Sequence, residues 1–196
     1  METTAKKYKD IPVGVSARHI HLSQPDLETL FGEGYQLTVK KELAQPGQYA
    51  AHERVDIVTE KATFKGVGIL GPVRPKSQVE ISLSDALKLG LQVPVRDSGD
   101  IKNTPGITLV GPKGTLHLLE GVIAAYRHIH MTPEDAAHFG VQNKDIVKVR
   151  LSGQRSLIFD NVAIRVHPSF ALEMHLDTDE ANAAMCKTGS TAELLK

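Results

Sequence analysis

The stretch GVIAAYRHIHMTPEDA, residues 121–136, carries the pattern from which the fold can be read. An apolar run leads in, His128 and His130 follow at alternate positions, and Thr132-Pro133-Glu134-Asp135 then offers a hydroxyl N-cap, an early proline and first-turn acids. The order is strand, His-x-His at the strand's C-terminal end, capped helix. The same order occurs at IPVGVSARHIHLSQPD, residues 11–26, where His19 and His21 precede Ser23-Gln24-Pro25-Asp26. His19 and His128 lie 109 positions apart. Gly32 and Gly140 stand where left-handed C-caps would end the two helices, and a third short helix, Asp85 to Leu89, would stop at Gly90.

Working outward, strand signals dominate. RVDIVTE, FKGVGILG, SQVEISL, GITLVG, DIVKVRL, LIFDNVAIRV and ALEMHLD are short, rich in Val and Ile, often alternating, and punctuated by Gly71-Pro72, Pro105-Gly106, Gly111-Pro112 and His167-Pro168. Many short strands with regular turns predict a mainly β protein of barrels or a sandwich, with a few short helices. A second repetition supports barrels. VGILGP…QVEISLSDA (67–86) resembles VAIRVHP…ALEMHLDTDEA (162–181), at an offset of 93 to 95. That alignment places Glu80 on Glu173 and Ser82 on His175. The chain therefore reads as a duplication: two barrel-like halves, each with a His-x-His strand and a second polar-bearing strand.

On a strand, residues i and i+2 share a face, with Cβ atoms about 7 Å apart, so two imidazoles can converge on one cation. Ile20 and Ile129, between the pairs, point into the core. One His-x-His is often incidental; two in matching contexts point to metal. Neutral imidazole favours Zn, Fe, Cu or Ni over Mg or Ca. With Cys186 the single cysteine, a thiolate zinc finger is excluded, and an open, catalytic type of site is expected. Glu80 and His175, on equivalent strands, complete the two shells; an acid on a half-buried strand is costly unless paired. Glu173 rivals His175 as a ligand. Arg74, in the Gly/Pro-rich GPVRPK, is placed to grip an anion. His52, His117, His138 and His167 have no repeat partner and read as surface or packing residues.

Composition sets the exclusions. Apolar residues make up 41% and charged residues 23%, an ordinary globular balance. Lys+Arg and Asp+Glu are both 23, so no global basic field argues for nucleic acid or an anionic membrane. No apolar run approaches a membrane span, and METTAKKYKD lacks a signal-peptide core. A single cysteine fits a reducing, cytoplasmic setting.

SARHIHLS, QPGQYAA, SQVEIS, RDSGD, GVIAAYRHIHMTPEDA and FDNVAIRVHPSFALEMHLDTDEANAA together resemble the phosphate propanoyltransferase (PduL-type phosphotransacylase) family, over roughly residues 11–185. The resemblance implies two interleaved six-stranded β-barrels with a di-zinc site between them, one from 11–36 plus 106–196 and the other from 37–105. It implies reversible conversion of propanoyl-CoA or acetyl-CoA plus inorganic phosphate to acyl phosphate plus CoA, in the setting of propanediol degradation. One zinc would be held by His19, His21 and Glu80 and meet the CoA sulfur; the second would be held by His128, His130 and His175, with Arg74 on the phosphate. Lys40, Lys41, Lys76 and Arg96 are candidates for the CoA phosphates. Relatives inside bacterial microcompartments carry an N-terminal targeting extension, where this chain shows ten basic-leaning residues, so a free cytoplasmic enzyme is expected. His52 stands where the family often has an acid. A zinc-dependent thioester or phosphoester hydrolase and a non-enzymatic metal-binding barrel module are the competing readings, although Leu22-Ser23-Gln24-Pro25 does not fit the metallo-β-lactamase pattern. The sequence leaves a homo-oligomer open.

Overall fold

The computed structural model describes residues 10–195. Residues 1–9, on which the expectation of a missing targeting extension bears, lie outside the described residues. The chain runs β1 (Ile11–Ser16), β2 (His19–His21), α1 (Gln24–Phe31), β3 (Val39–Glu42), β4 (Tyr49–Val58), β5 (Thr63–Gly71), β6 (Gln78–Glu80) and α2 (Leu83–Leu89). It continues through β7 (Val95–Arg96), β8 (Ile107–Val110), β9 (Thr115–Leu118), β10 (Val122–Ala125), β11 (His128–Met131) and α3 (Pro133–Phe139). Last come β12 (Ile146–Leu151), β13 (Leu157–Val166), β14 (Glu173–Asp177), α4 (Thr178–Ala184) and β15 (Thr191–Leu195).

Two compact units divide these elements. Among the described residues, one takes in residues 10–16, Ala44–Pro46 and residues 126–195; the other takes in Ala17–Leu43 and Gly47–Ala125. The first is a closed barrel in the order β1-β14-β11-β13-β12-β15. Its core is Ile11, Val13, Ile129, Met131, Val149, Leu151, Val162, Ile164, Met174 and Leu176, all nearly sealed from solvent. Strand β15 closes it by pairing with both β12 and β1.

The second unit is a nine-stranded sheet ordered β7-β10-β6-β2-β5-β4-β8-β9, with β3 on β4. It curls as a half-barrel around Ile20, Leu22, Ile57, Ile69, Val79 and Leu109. A closed six-stranded barrel would need β8 to reach β10, as β15 reaches β1. Instead β8 pairs onward with β9 and β10 with β7, so the sheet stays open.

The duplication is visible in the pairing. Strand β2 runs parallel to β5 and antiparallel to β6; β11 runs parallel to β13 and antiparallel to β14. The lead-in strands exchange. β1 runs into β2 yet pairs with β14, while β10 runs into β11 yet pairs with β6. The observed division therefore falls at Ser16/Ala17 and Ala125/Tyr126, not at the boundaries 11–36, 37–105 and 106–196 expected above.

Each helix starts on a side-chain cap: Ser23, Ser82, Thr132 and Asp177, each accepting from the backbone N–H three residues on. Gly90 and Gly140 are left-handed C-caps as expected, whereas Gly32, at φ 110° and ψ 159°, ends α1 in another conformation. No helix is long and apolar enough to cross a membrane among the described residues.

Candidate metal centres

Each His-x-His pair sits on a three- or four-residue strand whose central isoleucine is fully buried, which turns both imidazoles to the opposite face. The pairing register then supplies the third side chain. His19 lies across from Glu80, and His128 across from His175. The result is two groups, His19/His21/Glu80 and His128/His130/His175, in each of which the candidate donor atoms lie within 4.8 Å of one another. The register also fixes the repeat offset at 95, so Glu80 corresponds to His175 and Gln78 to Glu173; the match of Glu80 with Glu173 and Ser82 with His175 was two residues out.

In the first group the ring nitrogens are assigned by their partners. Nδ1 of His19 donates to the Ala17 carbonyl at 2.9 Å, and Nδ1 of His21 to the Leu70 carbonyl at 3.2 Å. Both Nε2 lone pairs are left facing the carboxylate, 3.5 and 3.9 Å from the Glu80 oxygens. A tetrahedral ion with ligands at about 2.0–2.1 Å holds them about 3.3 Å apart, so this spacing fits a cation. Burial pushes His21 down to about 3, with His19 and Arg74 adding to the effect. Burial alone would raise the Glu80 carboxyl, but His19, His21, the Ser98 hydroxyl and Arg74 together hold it down to about 2. A neutral His21 imidazole beside an ionised Glu80 carboxylate is the pair of protonation states a metal requires.

The second group is built alike. Nδ1 of His128 donates to the Tyr126 carbonyl at 2.7 Å, the counterpart of the His19 bond. Nε2 of His175 lies 2.7 Å from Oε2 of Glu173, which leaves Nδ1 as its remaining donor atom. His130, 6% exposed, keeps Nδ1 buried without a hydrogen-bond partner, and burial with His128, His175 and Arg165 pushes it down to about 2. A buried, neutral imidazole with an unsatisfied nitrogen is costly unless a cation takes the lone pair. Both donor sets fit a nitrogen-preferring divalent ion such as zinc.

Around the first group lies a polar chain that spacing did not reveal. The amide Nε2 of Gln78 donates to Oε1 of Glu80 at 2.6 Å and to Oγ of Ser98 at 3.0 Å. Ser98 in turn donates to Glu80 at 2.8 Å and accepts from Nη1 of Arg74 at 3.0 Å. Arg74 is thus placed beside the Glu80 group, its backbone N–H tied to the Leu22 carbonyl at the end of β2. Gln78 was legible in principle, two residues before Glu80 and so on its face; Ser98, in the RDSGD loop, gave no spacing signal.

The other expected residues are dispersed. His52, His117, His138 and His167 are in neither group. Lys40 and Lys41 are exposed on β3; Lys76 pairs with Glu120 at 3.6 Å and Arg96 with Asp100 at 2.8 Å. The Cys186 thiol packs against the barrel core and is pushed up by burial, so it is no thiolate.

The comparisons with known proteins agree with this geometry. A model of the family described as phosphate propanoyltransferase matches residues 12–187. The chain is 60% identical to the phosphate propanoyltransferase of Thermotoga maritima, over 97% of its own length and 91% of that protein's. It is 52% identical to the one from Priestia megaterium (99% and 89% covered) and 53% identical to the one from Salmonella typhimurium (94% and 90% covered). A buried pair of His-based donor groups on a duplicated β framework belongs to an acyltransferase here. The chain is a member of the phosphate propanoyltransferase family.

Proposed function

We propose that the chain moves a short acyl group, propanoyl or acetyl, between CoA and inorganic phosphate by direct attack, as a di-zinc enzyme of the cytoplasm. The observation that carries the di-metal reading is the recurrence of one three-donor arrangement in both halves. One ion would be held by His19, His21 and Glu80, the other by His128, His130 and His175. A zinc ion in such a group supplies Lewis acidity for a carbonyl or a departing thiolate.

In the forward direction a phosphate oxygen bonds to the thioester carbonyl carbon, the C–S bond breaks, and its electron pair leaves with the CoA sulfur. Arg74 would hold the phosphate, and Ser98 orients its guanidinium. An acyl-enzyme intermediate is disfavoured. The Cys186 thiol is protonated, and both lone pairs of the Ser98 hydroxyl already accept hydrogen bonds, from Arg74 and Gln78.

CoA release from propanoyl-CoA and acetyl-CoA, with and without phosphate, tests this on protein whose metal content is measured. Phosphate-dependent release with about two zinc ions per chain supports the proposal. Release without phosphate makes it a hydrolase, and ping-pong kinetics overturn direct transfer.

A further inference from the structure

Strand register places one more side chain on the face of each group. Gln78 lies across from His21, and Glu173 across from His130, each two residues before the third donor, Glu80 or His175. The two positions correspond in the duplication, yet their residue types differ. Each contacts the donor that follows it: Gln78 through an N–H to the Glu80 carboxylate at 2.6 Å, Glu173 through an oxygen to Nε2 of His175 at 2.7 Å.

From this we infer that Gln78 and Glu173 are a matched pair of positioning residues, each orienting the third donor of its own group. The inference rests on the metal reading proposed above. The difference in type follows the chemistry of the donor served. A carboxylate is fixed by a hydrogen-bond donor, whereas an imidazole that gives one nitrogen to a cation must give the other's proton to an acceptor.

Both residues are themselves held. Gln78 is 2% exposed, and its Oε1 accepts from the backbone N–H of Gly99 at 2.7 Å. That bond fixes the amide so that Nε2 faces Glu80. Glu173 receives Nε2 of Gln45 at 3.5 Å; Gln45 is anchored both ways to the Ala171 backbone, at 2.9 and 3.2 Å. The space for the Glu173 carboxylate is made by Gly14 across the strand pair, where a Cβ would come within 2.8 Å of it.

The test is zinc titration of the full chain against a competing chelator, for wild type and for the near-isosteric variants Gln78→Met, Glu173→Met and Glu173→Gln. Wild type should take two ions. Gln78→Met should weaken one ion and Glu173→Met the other, each by about 10–100-fold. Glu173→Gln, which keeps an acceptor oxygen, should recover most of the loss. In a Glu80→Ala background, Gln78→Met should add nothing, since its action passes through Glu80; melting of the metal-free variants reports any general loss of structure. Two ions held by both Met variants with wild-type affinity would overturn this inference and leave the metal reading standing. A wild type that takes no zinc would overturn both.

Discussion

Arg18 and Asp85 meet side by side, Nε to Oδ2 at 2.7 Å and Nη2 to Oδ1 at 2.8 Å, and the guanidinium lies 4.5 Å from the Phe64 ring centroid. Arg127, Glu180 and Phe159 repeat the contact in the other half, with 2.8 Å to the carboxylate and 5.4 Å to the ring. Each arginine directly precedes the first histidine of its pair, and each acid sits on the helix that follows the third donor. The clamp joins the two ends of a donor group.

Removing the arginine strands a carboxylate. Asp85 is 3% exposed, so Arg18→Met leaves a buried acid without its partner and should cost about 2–3 kcal/mol, tempered by the half-exposed arginine. Arg18→Lys should recover little, because an ammonium cannot make the paired contact. Chemical-denaturation midpoints at constant slope measure both. A Lys variant as stable as wild type would refute the bidentate account.

Gly14→Ala separates stability from metal retention. The added Cβ meets only the end of a flexible side chain, so the fold should lose no more than about 1 kcal/mol. The displaced Glu173 carboxylate should nonetheless release His175. Chelator competition should then show one of two ions weakened; equal retention of both would contradict the packing argument.

Acidification should destabilise the metal-free protein. His21 and His130, held to about 3 and about 2, stay neutral in the fold but protonate near 6.5 when unfolded. The unfolded chain binds more protons below that point, so their stability is full above pH 6.5 and is lost as pH falls toward 3. Glu80, lowered to about 2, acts in the same direction below 4.5. Melting temperature should fall between pH 7 and pH 4, and a His21→Gln/His130→Gln double variant should fall less steeply. Parallel slopes would refute the assignment.

Arg74→Gln should raise the KM for phosphate about 10–100-fold, the loss expected for a charged hydrogen bond, with metal content unchanged. The KM for acyl-CoA is the internal control. A larger effect on acyl-CoA than on phosphate would move Arg74 to the other substrate.

Much of this architecture was legible because both repeats announce themselves through local chemistry. The His-x-His strands and their helix caps are contiguous patterns, and the structure brings all six expected donors together as two groups. What escaped needed long-range information. Ala192, Glu193, Leu194 and Leu195 are good helix formers, yet the stretch becomes β15, since pairing with β12 and β1 outweighs propensity. The closing helix α4 went unread because its cap, Asp177, is also the last residue of β14. The two-residue error in the Glu80 match arose because Glu80 and Glu173 look alike, while only register shows that Glu173 serves the position of Gln78. The second barrel was expected to close, and a ring's closure depends on one strand's two edges, which no local pattern records.

The exchanged lead-in strands also govern how this chain can fold during synthesis. Val13 pairs with Met174 and Ile11 with Ala192, so β1, the first strand among the described residues, waits for nearly the last before the barrel can shut. Contacts so distant in sequence make for slow folding, since a long loop must be ordered before it is rewarded. A chain stopped after Ala125 would hold β10 paired with β6, while β1 would lack β14 and β15. Neither unit is therefore a contiguous piece of chain: each is completed by the strand that leads, in sequence, into the His-x-His strand of the other.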